Sequence, residues 1–509
     1  MSTTINPPAP SALGFTEIPY NWKVPGDYME VKAAVNLNAV MAYPARGNIA
    51  GQMYAAGIAT PGKPYQLLSA DQANTLFGAG SQAAMMAAWW LQNNPYTSVD
   101  IIGISDAAES TKAVYTVTLG GTATGPGTLA LYFGGIRVAT GVNIGDTAAD
   151  VAANLFAQLQ LQGQSGYPYL PSLVPTYTAA GVLVTLTCGH GGTLGNEIDI
   201  RVNYQTGDVT PAGLTVAIAQ TVQGAIDPSN TIEAAFDALT STWYTDTAFA
   251  WTDETNITMI ADWAAARYGA MVKLDVQVYV GLDDSYGTAL TFAPNSQFIT
   301  PLPMQNSLTP PWLLAAAMAA QCCYWSAQAP SLQMATVPLV GVVAPAQADV
   351  FSQDEQQQLL LAGLSTYVVD SVGNVYLQRV TTSYRSDPSG VLNNAYFDLQ
   401  STKVPSRVRY DWNAYCSEVY PRNQLCKDGS LAAQYNPWAV TPGDLEASWT
   451  ARSAIYEQNG WIQNSVQTAK ASSFAIDAND GNRVNARQQI QIMGNLIVLA
   501  GSLEFISNN

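Results

Sequence analysis

A single histidine, His190, stands among 509 residues. That scarcity excludes most familiar machinery, because any Ser-His-Asp or Cys-His catalysis and any histidine-ligated zinc would have to pass through this one side chain. It lies in TCGHGG between two strand signals, where a turn histidine is expected and not a rigidly held base. Charge is scarce too: 11% of residues are charged, so few faces of the folded chain are built to meet water. The 37 acidic residues outnumber the 20 basic ones, which argues against nucleic-acid binding, since that needs clustered Lys and Arg. The five cysteines, Cys188, Cys322, Cys323, Cys416 and Cys426, are odd in number and irregularly spaced, so they read as reduced, mostly buried thiols.

Catalytic and cofactor signatures are missing as well. No Walker, GxGxxG or GxSxG pattern occurs, and GGTLGN at 191–196 lacks the lysine of a phosphate loop. The nearest paired carboxylates are Asp253 with Glu254, at the start of a predicted helix, and Asp283 with Asp284, in a predicted turn after a strand. Capping and solvation are the expected roles, and no catalytic, metal or cofactor site is expected. A signal peptide is also not apparent: MSTTINPPAPSALGF has neither a basic start nor a continuous apolar core, so the chain is expected to be made in the cytoplasm and stay there until assembly. The one long apolar run, PPWLLAAAMAAQCCYWSAQA at 310–329, is rich in alanine, contains Gln321 and has no basic flank. It predicts a helix buried on all sides instead of a membrane span.

What is present reads as several regions. Residues 1–22 are Pro-rich and aperiodic, an extended arm whose apolar side chains are Ile5, Leu13, Phe15 and Ile18. Residues 23–104 and 227–375 carry an α/β rhythm. Ser69 with Gln72 caps a helix stopped by Gly78, a second helix runs over 81–94, and SVDIIGIS is a buried strand. Helix 230–240, strand 246–251, helix 254–268, strand 272–280, helix 310–328 and a capping-box helix from Ser352 with Glu355 continue the pattern. Residues 105–226 are Thr- and Gly-rich, with strand signals at AVYTVTL, LALYFGGIRVA, GVLVTLT, EIDIRV and LTVAIAQTV. Asp146 is expected to cap a helix bearing Val151, Leu155 and Leu159, so this is an inserted α+β domain. Residues 376–486 form a further α+β domain with nearly balanced charge, nine basic residues against ten acidic over 376–480.

The last stretch, RQQIQIMGNLIVLAGSLEFISNN at 487–509, organises the rest. Ile490, Ile492, Leu496, Val498, Leu503 and Phe505 alternate at the two-residue period of a strand, at a free end where polar residues are the rule. Either its own domain or another copy must cover that surface. The reading pursued is β-augmentation, the strand completing a sheet edge of a neighbouring subunit.

The segment PLVGVVAPAQADVFSQDEQQQLLLAGLSTYVVDSVGNVYLQRVTTSY from Pro338, followed by GVLNNAYFDLQST, resembles the most distinctive block of contractile-tail sheath proteins of Mu-like bacteriophages. IPYNWKVPGDYMEV at 18–31, VTLTCGHGGTLGNEIDIRV at 184–202 and WTDETNITMIADWAAARYGAMVKLDVQVYVG at 251–281 are similar to further elements of that family, in the same order. The resemblance implies an α/β core called subtilisin-like, a fold label and not an activity. It also implies hexameric rings stacked helically around a tail tube, exchanged terminal strands, a tube-facing carboxy-terminal domain and an outward-facing insertion. The implied partners are other copies, the tube, the baseplate and a tail terminator, with the virion tail as location and neither nucleic acid nor membrane engaged. A different virion or surface-layer structural protein or adhesin is the alternative the residues leave open.

Overall fold

The computed structural model describes residues 23–29, 39–161, 170–177, 181–292 and 294–506. The chain divides into two compact units, Met1–Met41 and Ala42–Asn509. In the first, the described residues form no helix or strand; residues 30–38 and the arm residues Ile5, Leu13, Phe15 and Ile18 lie outside the described residues.

The centre of the second unit is a six-stranded sheet in the order Ile299–Pro303, Gln277–Leu282, Asp246–Phe249, Gly47–Gln52, Val99–Ile104, Pro64–Gln66. The first five are parallel neighbours, and the short Pro64–Gln66 edge runs antiparallel. Every residue of the five parallel strands is buried, as a parallel sheet covered on both faces requires. Two prolines, Pro301 and Pro303, fall in the Ile299–Pro303 strand at the end of the order, where a missing N–H does least harm. The covering helices pack as pairs: Gln82–Asn93 with Pro311–Gln328, and Ser229–Asp237 with Glu254–Tyr268. Pro311–Gln328 is buried over nearly its whole length, from Pro311 to Cys323, because it is apolar all round and begins with proline at its first turn. Among the described residues no helix is long and apolar enough to cross a membrane. The helix lies so close to the sheet that a Cβ on Gly281 would meet the Pro311 carbonyl oxygen at 2.2 Å.

The local signals mostly become the elements they predict. Ser69 caps Ala70–Phe77 by accepting from the Gln72 N–H at 3.1 Å, and Gly78 follows with φ of 87°. Ser352 and Glu355 form the full capping box of Gln353–Leu361. Three readings change. LALYFGGIRVA is two strands, Gly127–Phe133 and Ile136–Val142, joined by Gly134 and Gly135 with φ of 54° and 83°, the two-residue hairpin geometry that only glycine enters cheaply. Ala148–Leu161 is begun by Thr147 and Asp150, which bond each other's backbone N–H, while Asp146 accepts from the Asn143 N–H in the turn before. The strand expected over 272–280 starts only at Gln277, because Lys273 takes a left-handed φ of 58° in the turn that precedes it.

Between core strands, residues 112–222 build a four-stranded antiparallel sheet in the order Leu214–Val222, Lys112–Gly121, Leu183–Gly191, Leu173–Tyr177, and a three-stranded one in the order Ile136–Val142, Gly127–Phe133, Ile200–Val202. They enclose their own apolar cluster, including Val117, Leu131, Phe133, Leu155 and Leu186, separate from that of the central sheet. The alternating burial of Lys112–Gly121 shows a sheet with one face in that cluster. The change at 375–376 is not a structural seam: Thr366–Val369 pairs with Val375–Arg379 across it, and Val375 and Leu377 join the central apolar cluster. Charge balance shifts there, but packing does not. Trp312 is 1% exposed within that cluster. Trp312→Ala is expected to lower unfolding free energy by about 3–5 kcal/mol, measured by urea titration followed by circular dichroism; a loss below about 1 kcal/mol contradicts the packing described.

Candidate assembly surface

Parallel strands start on one side, and there the central sheet collects polar groups. Asp246, the first residue of its strand, is buried and takes the Lys403 ammonium at 2.6 Å, the Tyr279 hydroxyl at 2.7 Å and, on its second oxygen, the Thr245 hydroxyl at 2.8 Å. Lys403 also donates to the Thr245 carbonyl. Next to it, Asp100 accepts two bonds from the Arg46 guanidinium and one from Tyr244. Burial and the Asp246 charge push the Tyr279 hydroxyl well above its ordinary range, so it stays a donor. Lys403 stands on Gln400–Val419, a helix carrying Pro405 within it, and thus ties the last quarter of the chain to the sheet. No motif marked this pair, because a lysine and an aspartate separated by 157 positions have no local signature.

Gln400–Val419 packs against Pro442–Gln458, which begins with a Thr441–Asp444 capping box. Between them Asp411 is buried and takes the Arg452 guanidinium and, at 2.6 Å, the Tyr456 hydroxyl. The hairpin of Ser473–Ile476 and Val484–Arg487 follows; it is a sheet of two strands only. The chain then returns to its own domain through a bridge between Ile462 and Ile492, the Gln463 N–H on the Gln491 carbonyl at 2.8 Å and the Met493 N–H on the Trp461 carbonyl at 3.1 Å. Among the described residues Asn495 makes the last such tie, to the Ser331 carbonyl at 3.1 Å.

Beyond Asn495 the described residues enter no helix, turn or ladder. Leu496, Val498, Leu503 and Phe505 are 82%, 78%, 95% and 86% exposed, and Leu499 and Ile506 are exposed as well. The stretch expected to be one strand therefore has two fates. Ile490 and Ile492 are half-buried and lie with the subunit's own domain, whereas the four residues from Leu496 to Phe505 that alternation singled out have no cover from their own chain. No ladder forms there because a strand needs a partner.

The residues considered for chemistry lie apart from this surface. His190 is not in a turn: it is buried in Leu183–Gly191, donates Nδ1–H to Asp106 Oδ1 at 3.0 Å, and its Nε2 accepts the Gln82 backbone N–H at 3.2 Å. Two glycines after a histidine suggested a turn, but the tight turn comes later, at Gly192 with φ of 107°. A histidine acting as a base needs Nε2 free to take a proton, and here a main-chain donor occupies it. Burial pushes the neighbouring Cys188 thiol up to about 11, so it is no thiolate. Asp253 caps Glu254–Tyr268 through the Asn256 N–H, as expected. Asp283 accepts from the Ser307 N–H at 3.0 Å; loss of solvation lifts its carboxyl toward about 7, an effect partly screened because the side chain reaches solvent. Among the described residues no group of three His, Cys, Asp or Glu is placed to hold a metal ion.

A subunit with its notable polar groups spent on internal junctions and an apolar end left uncovered has the features of a structural building block. No protein-family model matches the chain. It is 27% identical over 500 residues to the Mu-like prophage FluMu tail sheath protein of Haemophilus influenzae, a match spanning 97% of this chain and 100% of that one. The chain is thus similar, over nearly its whole length, to a tail sheath protein. Among solved structures it is similar to the sheath tail proteins of Desulfitobacterium hafniense (TM-score 0.48, 12% identity, 92% of this chain and 100% of that one) and Listeria innocua (TM-score 0.49, 11% identity, 90% and 94%).

The buried Asp246–Lys403 pair gives a direct test of how the C-terminal helix is held. Lys403→Met leaves Asp246 with a buried charge and is expected to destabilise the subunit by about 3–5 kcal/mol, while Lys403→Met with Asp246→Asn recovers part of the loss. Chemical denaturation of the two variants checks this; a neutral single variant contradicts the arrangement.

Proposed function

We propose that the chain is the sheath subunit of a contractile phage tail, polymerising as hexameric rings stacked helically around a tail tube. Its partners are other copies of itself, the tube, the baseplate and a tail terminator, and it assembles in the host cytoplasm and resides in the virion tail. In this reading the 376–486 region faces the tube, residues 105–226 face outward, and contraction drives the tube through the host envelope. The relation to a tail sheath protein over the full length of both chains supports the class. The observation that carries the assembly mode is the apolar segment from Leu496 to Ile506, a run rich in exposed apolar side chains, whereas the other exposed large apolar residues stand singly or in adjacent pairs.

Its acceptor is a sheet edge of another copy. A lone two-stranded hairpin is marginal, and a third strand would complete the Ser473–Ile476 and Val484–Arg487 pair along a free edge. Five added backbone hydrogen bonds are worth roughly 0.5–1.5 kcal/mol each. Burial of the leucines and Phe505 adds about 25 cal/mol per Å². Such a joint survives large rotations of the rigid body on either side, because the connection just beyond Asn495 enters no helix or ladder of its own. An association that does not close into a ring grows into a helix, the form a sheath requires.

Removing residues 496–509 is expected to leave the unfolding midpoint of the subunit nearly unchanged, since the described part of that segment is exposed and enters no helix or ladder, and to abolish tube formation. Negative-stain micrographs of the shortened chain showing long tubes would overturn the strand-exchange reading.

A further inference from the structure

We propose that His190 is an acid-sensitive latch between the inserted 112–222 sheets and the central sheet, and that protonation at Nε2 opens this junction. The inference stands on the subunit alone and goes beyond its place in a sheath.

The geometry allows one protonation state. Nε2 accepts the N–H of Gln82, the first residue of Gln82–Asn93, at 3.2 Å, so the proton of the neutral ring is on Nδ1, where it meets Asp106 at 3.0 Å. A proton added at Nε2 would face that N–H donor to donor, at the positive end of a twelve-residue helix. The site offers no room to turn away, since the ring is 3% exposed and stacked on Tyr54 with centroids 4.3 Å apart.

The same atoms carry the inserted region. Asp106, on the connection into it, also accepts the Gly191 N–H at 2.8 Å and the Gln52 side-chain amide at 2.8 Å, and that amide donates to the Gly191 carbonyl at 2.7 Å. The Gln52 N–H in turn donates to Gln82 Oε1. The two connections meet beside them, where Thr111 and Ala225 exchange backbone bonds and Gly192 donates to the Thr111 carbonyl. Opening at His190 thus loosens the seat of the whole insertion.

The charged and titratable groups facing the ring are Asp106, Lys112, Cys188 and Tyr54. Asp106 favours the imidazolium, but burial opposes it, aided by the Lys112 ammonium, which is held on the Gly189 carbonyl at 2.7 Å. Burial prevails and keeps the imidazole below its ordinary value. The opened junction then binds more protons than the closed one between the folded value and about 6.5, so lowering the pH through that window favours opening and raising it restores the latch.

The test is hydrogen–deuterium exchange of the full chain at about pH 7.5 and about pH 5, corrected for intrinsic rates, read on peptides spanning 80–84, 105–112 and 187–193. The expected result is at least about a tenfold rise in corrected exchange at the lower pH in all three, with no such rise in His190→Gln, whose amide oxygen can still accept but does not titrate. Equal protection at both pH values, or the same rise in His190→Gln, overturns the proposal. Should that variant not fold, the wild-type pH profile decides: a transition with one-proton slope supports the latch, and a multi-proton collapse or a flat profile refutes it.

Discussion

A parallel sheet buried on both faces has only its two ends left for polar business, and that constraint organises this subunit. Its five parallel strands are buried at every position, so the side chains that can accept charge or hydrogen bonds gather where strands begin and where they stop. At the beginning, Asp246 and Asp100 take Lys403, Arg46, Tyr279 and Tyr244. At the other end, Gln52 and Asp106 take Gly191 and His190. One end seats the C-terminal helices and the other seats the inserted sheets. The low charge content follows: few charges are available, and several of them are buried at these two seats.

This division gives the molecule its mechanical character. A buried ion pair is weak evidence for stability but strong evidence for register, since a half-satisfied pair is costly and only one docking satisfies both partners. The Asp246–Lys403 pair fixes Gln400–Val419 on the core in one register, and the Asp411–Arg452 pair fixes Pro442–Gln458 on that helix. Past Asn495 nothing comparable exists among the described residues, and the apolar side chains there gain no free energy until something covers them. The body held by these pairs and the uncovered apolar end are the two parts that the proposed assembly uses.

The surroundings of His190 have a physical consequence as well. His190 has the aspartate of a catalytic pair, and Ser172 and Cys188 are close by in the same buried pocket. Geometry disarms the arrangement: Nε2 is bonded to a main-chain N–H and the thiol is kept protonated by burial. Residues that would be catalytic in another setting here hold two sheets together.

Local order was legible in the residues themselves. Capping pairs such as Ser69 with Gln72 and Ser352 with Glu355, and the helix-wide apolarity of Pro311–Gln328, act within a few positions, so composition and spacing determine them. The apolar alternation of Leu496, Leu503 and Phe505 was visible in the residues, but whether the chain's own domain covers them was not; the structure leaves them exposed. Three things belonged to tertiary structure alone: that His190 sits in a strand under a helix N-terminus, that Lys403 reaches Asp246, and that the hairpin of Thr366–Val369 and Val375–Arg379 ignores the change in charge at its middle. Each depends on which distant segments share a buried space, and that is decided by the packing of the whole chain, not by any stretch of it.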